Sequence, residues 1–407
     1  MSNSILTISM ITRESMRVLE NNLKFTKGVN RQFDDKFGVE GAKIGSTLNI
    51  RLPARYVGRS GPVLSVENQT ETYVPLTLSN QFGVDVQFTS ADLELSMDDF
   101  SERYLMPAMA AVANKIDRDG LAQALNVYQT VGVPGTTPAA LSTYLAASAK
   151  LKFAAAPEDN LRSIVIDPNA EASIVNNLTT LFNPSQEISD QYKDGSMGRA
   201  IGFKWNADQN VNSYTTGPQG GSPQVAAVPA SGATSISTQG WTASAAIRLN
   251  VGDIFTMAGV YAVNPQSRAT TGQLQQFVVT SQFSSSGSGT GTLSFSPAIV
   301  SSGQFQNVSV LPAVNAAIVV LDASGNPGNT VSPMNLAFHR DAFVLGTADL
   351  PLPKGVDMAS RVSDKKVGVS IRMVRAYDIV NDMFPCRLDV LYGWSTVYPQ
   401  LAVRIQG

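Results

Sequence analysis

The sequence predicts an α+β protein that carries a second, β-rich domain inserted late in the chain. Three observations lead there. Apolar residues alternate at period two through much of residues 46–89, the pattern of half-buried strands. Leu105, Met109, Val112 and Ile116 then recur at steps of four and three, which places them on one face of a helix. Residues 1–130 hold 28 charged side chains, whereas residues 216–335 hold only Arg248, Asp253, Arg268 and Asp322. The order of these signals is not a regular βα repeat.

In chain order, Met16, Leu19 and Leu23 form the apolar stripe of a short amphipathic N-terminal helix. Leu48, Ile50, Leu52, Ala54 and Tyr56 then share one strand face, and Arg51, Arg55 and Arg59 share the other. Val74, Leu76, Leu78, Phe82, Val84, Val86 and Phe88 resume the alternation, broken only by Asn80. Read as one strand, residues 73–89 would reach roughly 50 Å at about 3.3 Å per residue, the length of a projecting arm. From Ser96 a long helix begins, capped by Ser96 or Asp98, and Pro107 either kinks it or marks a second start. Leu121, Leu125 and Tyr128 extend its apolar face.

Residues 138–156 read as an Ala-rich helix ended by Pro157, residues 163–167 as a short buried strand, and Asn169–Phe182 as a third helix. The stretch from Gly220 to Ser332 is rich in Gly, Ser, Thr, Gln and Ala, with short β-branched and aromatic runs, and reads as a small barrel or sandwich. After it, Val367, Val369, Ile371 and Met373 alternate with polar neighbours, as do Cys386, Leu388, Val390 and Tyr392, giving two antiparallel strands.

Bulk properties exclude several functions. A chain of 407 residues exceeds the size at which single cores stop growing. A net charge of −2 offers no basic platform for nucleic acid. The single cysteine, Cys386, cannot form an intrachain disulfide and fits a reducing compartment. No apolar stretch approaches the ~18 residues of a membrane span, and no secretory leader is recognisable, so neither insertion nor secretion is expected.

Residue types that could carry chemistry are sparse. His339 is the only histidine, so any Ser-His-Asp or Cys-His arrangement would require it, and a multi-histidine metal site is ruled out. The plainer reading is a structural residue. Cys386 on its alternating strand reads as a small core hydrophobe. Gly287-Ser-Gly-Thr-Gly291 imitates a phosphate loop but lacks the following Lys and helix, so it reads as a flexible turn. Asp98, Asp99, Asp117 and Asp119 read as cap and solvated surface rather than metal ligands. Catalytic, cofactor and metal residues are therefore expected to be none. Arg51, Arg55 and Arg59 are the candidate inter-subunit contacts, because on a projecting arm they could pair with acidic groups of a neighbour.

Together these residues resemble the tailed-bacteriophage major capsid fold, shared with the floor of herpesvirus shells. The resemblance is carried by Tyr192-Lys-Asp-Gly195 leading to Ile201-Gly202-Phe203, by Leu336 to Phe343, and by Cys386 to Trp394 followed by Val397 to Ile405. It implies an N-terminal arm (1–35), an extended loop built as a long β-hairpin (36–90), a spine helix with the first part of the peripheral and axial domains (91–219), and the remainder in residues 333–407. Arg248 to Tyr261 is similar to the start of the inserted β-barrel in coat proteins of short-tailed phages, which places the insert at 220–332. Such a protein would be a non-enzymatic coat protein that assembles from hexamers and pentamers into the icosahedral virion shell. It would be built in the host cytoplasm with a separate scaffolding protein and a portal protein, and would enclose double-stranded DNA without sequence-specific binding. In the relatives a charged loop of the insert bridges capsomers; Gly220–Ser237 here holds no charge, so a stabilising role is expected instead. An encapsulin-like shell protein or a β-rich decoration protein are the alternatives.

Overall fold

The computed structural model describes residues 8–33, 45, 47–59, 61–64, 66–68, 71–89, 101–178, 198–322, 328–364, 368–380 and 383–407. The chain divides into two units. The first combines residues 1–51, 73–121 and 343–397; the second combines 52–72, 122–342 and 398–407.

In the first unit the alternating segment 383–396 is the middle of a six-stranded sheet. Its Leu388 pairs with Met373 of Val369–Arg375 and with Val84 of Asn80–Thr89. Farther along, Leu345 of Phe343–Ala348 pairs with Trp394. The two antiparallel strands read from the 369–373 and 386–392 patterns are thus both present. The Ile8–Asn22 helix packs its Met16, Leu19 and Leu23 stripe, each no more than 5% exposed, inside this unit. That burial makes the stripe part of the core of this unit.

The long arm is organised differently from the sequence reading. Thr47–Arg51 pairs with Tyr73–Thr77 in the expected face, Leu48 opposite Leu76 and Ile50 opposite Val74. The second strand ends there, however, and Asn80–Thr89 pairs with Met383–Tyr392 over ten positions. The interruption at Asn80 is therefore a real break between two strands, one in the hairpin and one in the main sheet. Leu78 at the junction packs with Ala348, Leu350 and Leu391. On the other side, Pro53 has no amide to donate to a ladder, and Gly58 and Gly61 adopt φ of +76° and +90°. Strand pairing accordingly stops after Leu52, whose amide bonds the Thr72 carbonyl at 2.8 Å.

The spine helix begins, within the described residues, as a wide turn over Ser101–Leu105 and continues as Met106–Leu121. Pro107 sits in its first turn, where a missing amide costs nothing, so it marks the start of the regular helix. Met109, Val112, Ile116 and Leu121 are buried, as their spacing predicts.

In the second unit, Thr130–Gly132, Ala402–Gln406, Val331–His339, Arg162–Ile166 and Phe203–Ala207 form consecutive strands of a seven-stranded sheet. Arg162–Ile166 is buried throughout, the expected short buried strand. The helices Leu141–Phe153 and Pro168–Leu178 correspond to the Ala-rich and third helices. The strand Ala402–Gln406 was not anticipated; it inserts between two others by pairing antiparallel with Met334–Phe338 and parallel with Thr130–Gly132.

Thr215 pairs with Val331, and the described residues between them include a barrel within the second unit. Six strands run in the order 221–225, 233–241, 291–299, 270–279, 254–263 and 318–320. A bridge from Gln224 to Ala317 joins the first strand to the end of the last and closes the ring, which leaves no long open edge. Its interior is apolar, with Phe255, Phe277 and Phe295 in mutual contact at centroid separations of 5.2–5.8 Å. Such offset and edge-to-face geometry is the favourable one for aromatic groups.

Candidate functional site

The sequence breakers in Leu52–Thr72 leave its described residues outside any strand, yet these are not without order. Glu67 accepts the Val57 amide at 2.9 Å and the Gly58 amide at 2.8 Å, closing the segment on itself. Its apolar side chains remain in water: Val63 is 79% exposed, Leu64 78% and Val66 79%. Neighbouring apolar side chains exposed to this degree are the signature of an interaction surface.

The three arginines do not form one stripe. Arg51 is the last residue of the Thr47–Arg51 strand and is exposed. Arg55 lies beyond Pro53, with its guanidinium over the Phe305 ring at 5.8 Å from the centroid, a cation–π distance. Arg59 bonds the carbonyl of Gly61. The period-two argument fails here because the strand ends at the proline, and only Arg51 keeps the predicted strand position.

Three of the four charges of the β-rich stretch, Arg248, Asp253 and Asp322, hold the base of the barrel. Asp253 accepts the Gly217 amide at 3.1 Å, the Asn250 amide at 2.8 Å and the Tyr214 hydroxyl. Burial raises its carboxyl above the ordinary range, an effect these hydrogen bonds oppose. Burial and the adjacent Asp253 likewise push the Tyr214 phenol up. Asp322 accepts from the Thr216 hydroxyl at 3.0 Å, the Gln219 amide group at 2.7 Å and the Gly328 amide at 2.6 Å. Arg248 donates to the Ser285 hydroxyl at 2.9 Å and the Gln219 carbonyl at 3.1 Å. These charge-assisted bonds fasten the two chain crossings to the barrel wall.

Arg404 completes that base from the terminal strand. It donates to the Gly252 and Leu125 carbonyls, each at 2.8 Å, and is fully buried. Burial lowers its guanidinium to about 10. Sequence reasoning missed it, although an arginine inside the apolar run Leu401 to Ile405 was a visible signal.

The residue types that might have carried chemistry are engaged structurally. His339 is 1% exposed, and its Nε2 lies 3.0 Å from the Asp159 carboxylate while Nδ1 accepts the Asp341 amide at 3.3 Å. That arrangement places the imidazole proton on Nε2, facing Asp159. Cys386 is buried on its strand opposite Val86, and burial pushes its thiol up to about 12, away from reactive thiolate. Ser286 and Thr290 close the glycine-rich segment as a turn leading into Gly291–Ile299, with no helix behind it. Asp117 accepts the amides of Lys24, Phe25 and Thr26 and the Thr26 hydroxyl. Asp119 pairs with Lys115 at 2.6 Å and accepts the Tyr392 hydroxyl at 2.6 Å. Asp117 is buried and Asp119 is partly buried and paired, so neither is the freely solvated surface group the sequence suggested. Ser96, Asp98, Asp99 and the Tyr192–Gly195 motif lie outside the described residues. Among the described helices none is long and apolar enough to cross a membrane.

A family model described as P22 coat protein, gene protein 5, matches residues 7–407. No curated protein sequence matches the chain. Solved structures similar to it include one from Mycobacterium phage Che8, at 11% identity and a TM-score of 0.45, covering 94% of this chain and 90% of that one. Another is the capsid of Cyanophage P-SCSP1u, at 11% identity and a TM-score of 0.44, covering 92% and 88%. A third is the CUS-3 coat protein I-domain, at 31% identity and a TM-score of 0.19, covering 25% of this chain and 96% of that one.

Proposed function

Since the chain belongs to the P22 coat protein family, we propose how its surfaces serve the shell that such a protein builds. It is a major capsid protein, a structural and non-enzymatic subunit of the icosahedral bacteriophage shell, and its place is the virion. Its contacts are self-contacts, repeated around the particle.

The Leu52–Thr72 segment is the arm that rests on an adjacent subunit. The exposure of Val63, Leu64 and Val66 carries this reading, because burying such side chains is worth roughly 1.5–3 kcal/mol each. A contact of that size is weak enough to reverse during assembly, and ring and shell closure multiply it. Arg51 and Arg59 pair with acidic groups of the neighbour at the margin of the contact, and Arg55 supports the arm through Phe305. The full scheme keeps the extended loop expected at 36–90, short of the Asn80–Thr89 strand, and the insert expected at 220–332, bounded by the Thr215–Val331 pair, as a subunit stabiliser. A separate scaffolding protein, a portal protein and packaged double-stranded DNA are the remaining partners, with assembly in the host cytoplasm.

The test is co-expression with the scaffolding protein, followed by sedimentation and electron microscopy of wild type and of Leu64→Asp. Shells from wild type, and folded unassembled subunits from the variant, are expected. Shells of normal yield from Leu64→Asp would remove the arm from the interface. A fragment of residues 216–330 with dispersed amide NMR resonances would support the insert as a stabilising module, and collapsed resonances would count against it.

A further inference from the structure

Within the second unit, a small cavity opens between the Leu141–Phe153 helix and the barrel strand Thr270–Val279. Its walls include Arg55, Tyr128, Lys150, Gln276 and Gln400, and no Asp or Glu lines it among the described residues. Lys150 reaches the Gln276 side-chain oxygen at 2.5 Å. That oxygen already accepts the Thr130 amide at 2.8 Å, while the Gln276 amide group donates to the Thr130 carbonyl at 3.2 Å. Gln276 is thus locked as a bridge, and one neutral acceptor is all it offers an ammonium with three donors.

The second cation is no better compensated. The Arg55 guanidinium meets the Phe305 ring, which attracts a cation but accepts none of its five N–H groups in the manner of a carboxylate. Burial, with no opposing carboxylate, lowers the Lys150 ammonium to about 8. Burial also raises the Tyr128 phenol, which keeps that group protonated. Two partly buried cations and a phenol therefore share a wall that no Asp or Glu among the described residues lines, an arrangement that attracts an anion. The cavity volume is about 80 Å³, whereas a single water needs about 10–15 Å³ on the same measure. There is room for a group of several heavy atoms.

We infer that this cavity binds one compact oxyanion, a phosphate or carboxylate group, between Lys150 and Arg55. A free ion can supply that group, and so can an acidic side chain of a second copy of the chain. Binding removes the unpaired charge and fastens the 52–72 segment, through Arg55, to the unit that carries it.

The full-length, unassembled protein is titrated with inorganic phosphate by calorimetry at constant ionic strength and neutral pH. One saturable site is expected, with the dissociation constant raised about tenfold or more in Lys150→Met and in Arg55→Gln. Should Lys150→Met fail to fold by circular dichroism, Arg55→Gln carries the comparison, since Arg55 is only partly buried. Assembled shells give the second arm. Phosphate binding retained in shells identifies a free ion as the occupant, and binding lost in shells identifies a carboxylate from a neighbouring copy. No saturable site in the unassembled protein, or equal affinity in both variants, overturns the inference without touching the assembly reading.

Discussion

Gly346 and Gly393 are register partners on adjacent strands, and together they form a bare patch of sheet on which the root of the hairpin rests. A methyl group on Gly346 would stand 2.5 Å from Leu76 Cδ2, and one on Gly393 would run into the Thr77 carbonyl. The two glycines are there for close approach of a second chain segment rather than for a turn. Gly393→Ala should therefore lift residues 73–78 off the sheet at a cost of about 1–3 kcal/mol, the usual range for overpacking. Hydrogen exchange should accelerate at residues 73–77 and stay unchanged at 358–364. Uniform protection in both segments would refute the steric reading.

Asp117 supports a different joint. Its carboxylate gathers three consecutive amides, from Lys24 to Thr26, onto the spine helix. Removing a buried acceptor with that many donors strands each of them. Asp117→Ala is expected to lower unfolding stability by about 3–5 kcal/mol, measured by urea denaturation of the unassembled subunit. Asp117→Asn should recover only part of the loss, because one of its two acceptors becomes a donor.

In the barrel, Phe277 touches both Phe255 and Phe295. Phe277→Ala should cost about 3–5 kcal/mol and weaken the near-ultraviolet dichroism of the aromatic cluster. A change below about 1 kcal/mol would mean that the barrel interior repacks freely.

Cys386 provides a pH test. Its folded thiol is raised to about 12 from an ordinary 9.0, so the folded state favours the protonated form. The stability it contributes is complete below about pH 9 and is lost as pH climbs toward 12. Iodoacetamide at pH 8 should leave Cys386 intact in the native protein and modify it once urea unfolds the chain, as read by mass spectrometry. Rapid native labelling would contradict its burial.

Periodicity revealed most of this architecture. Met109, Val112 and Ile116 had one helical solution, and Leu388 and Val390 had one strand face, because a single core face dictates each pattern. The 73–89 arm misled for the same reason: two strands of equal parity, joined at Ser79, look like one, and only tertiary pairing with Met383–Tyr392 separates them. The arginine stripe was lost to Pro53, a local breaker outweighed by an attractive alternation. The roles of Asp117 and Asp159 were invisible in another way. Their partners are backbone groups or side chains distant in sequence, and no spacing rule encodes such bonds.

The pairing of Thr215 with Val331 has a consequence for the order of events on the ribosome. The Arg162–Ile166 strand emerges well before its partner Val331–His339, and Ala402–Gln406 comes last. Closing so long a loop by chance carries an entropic cost that grows with its length. A barrel that zips up from neighbouring strands brings 215 and 331 together and shortens that search. The insert, by folding first, turns one long closure into a short one between Thr215 and Val331.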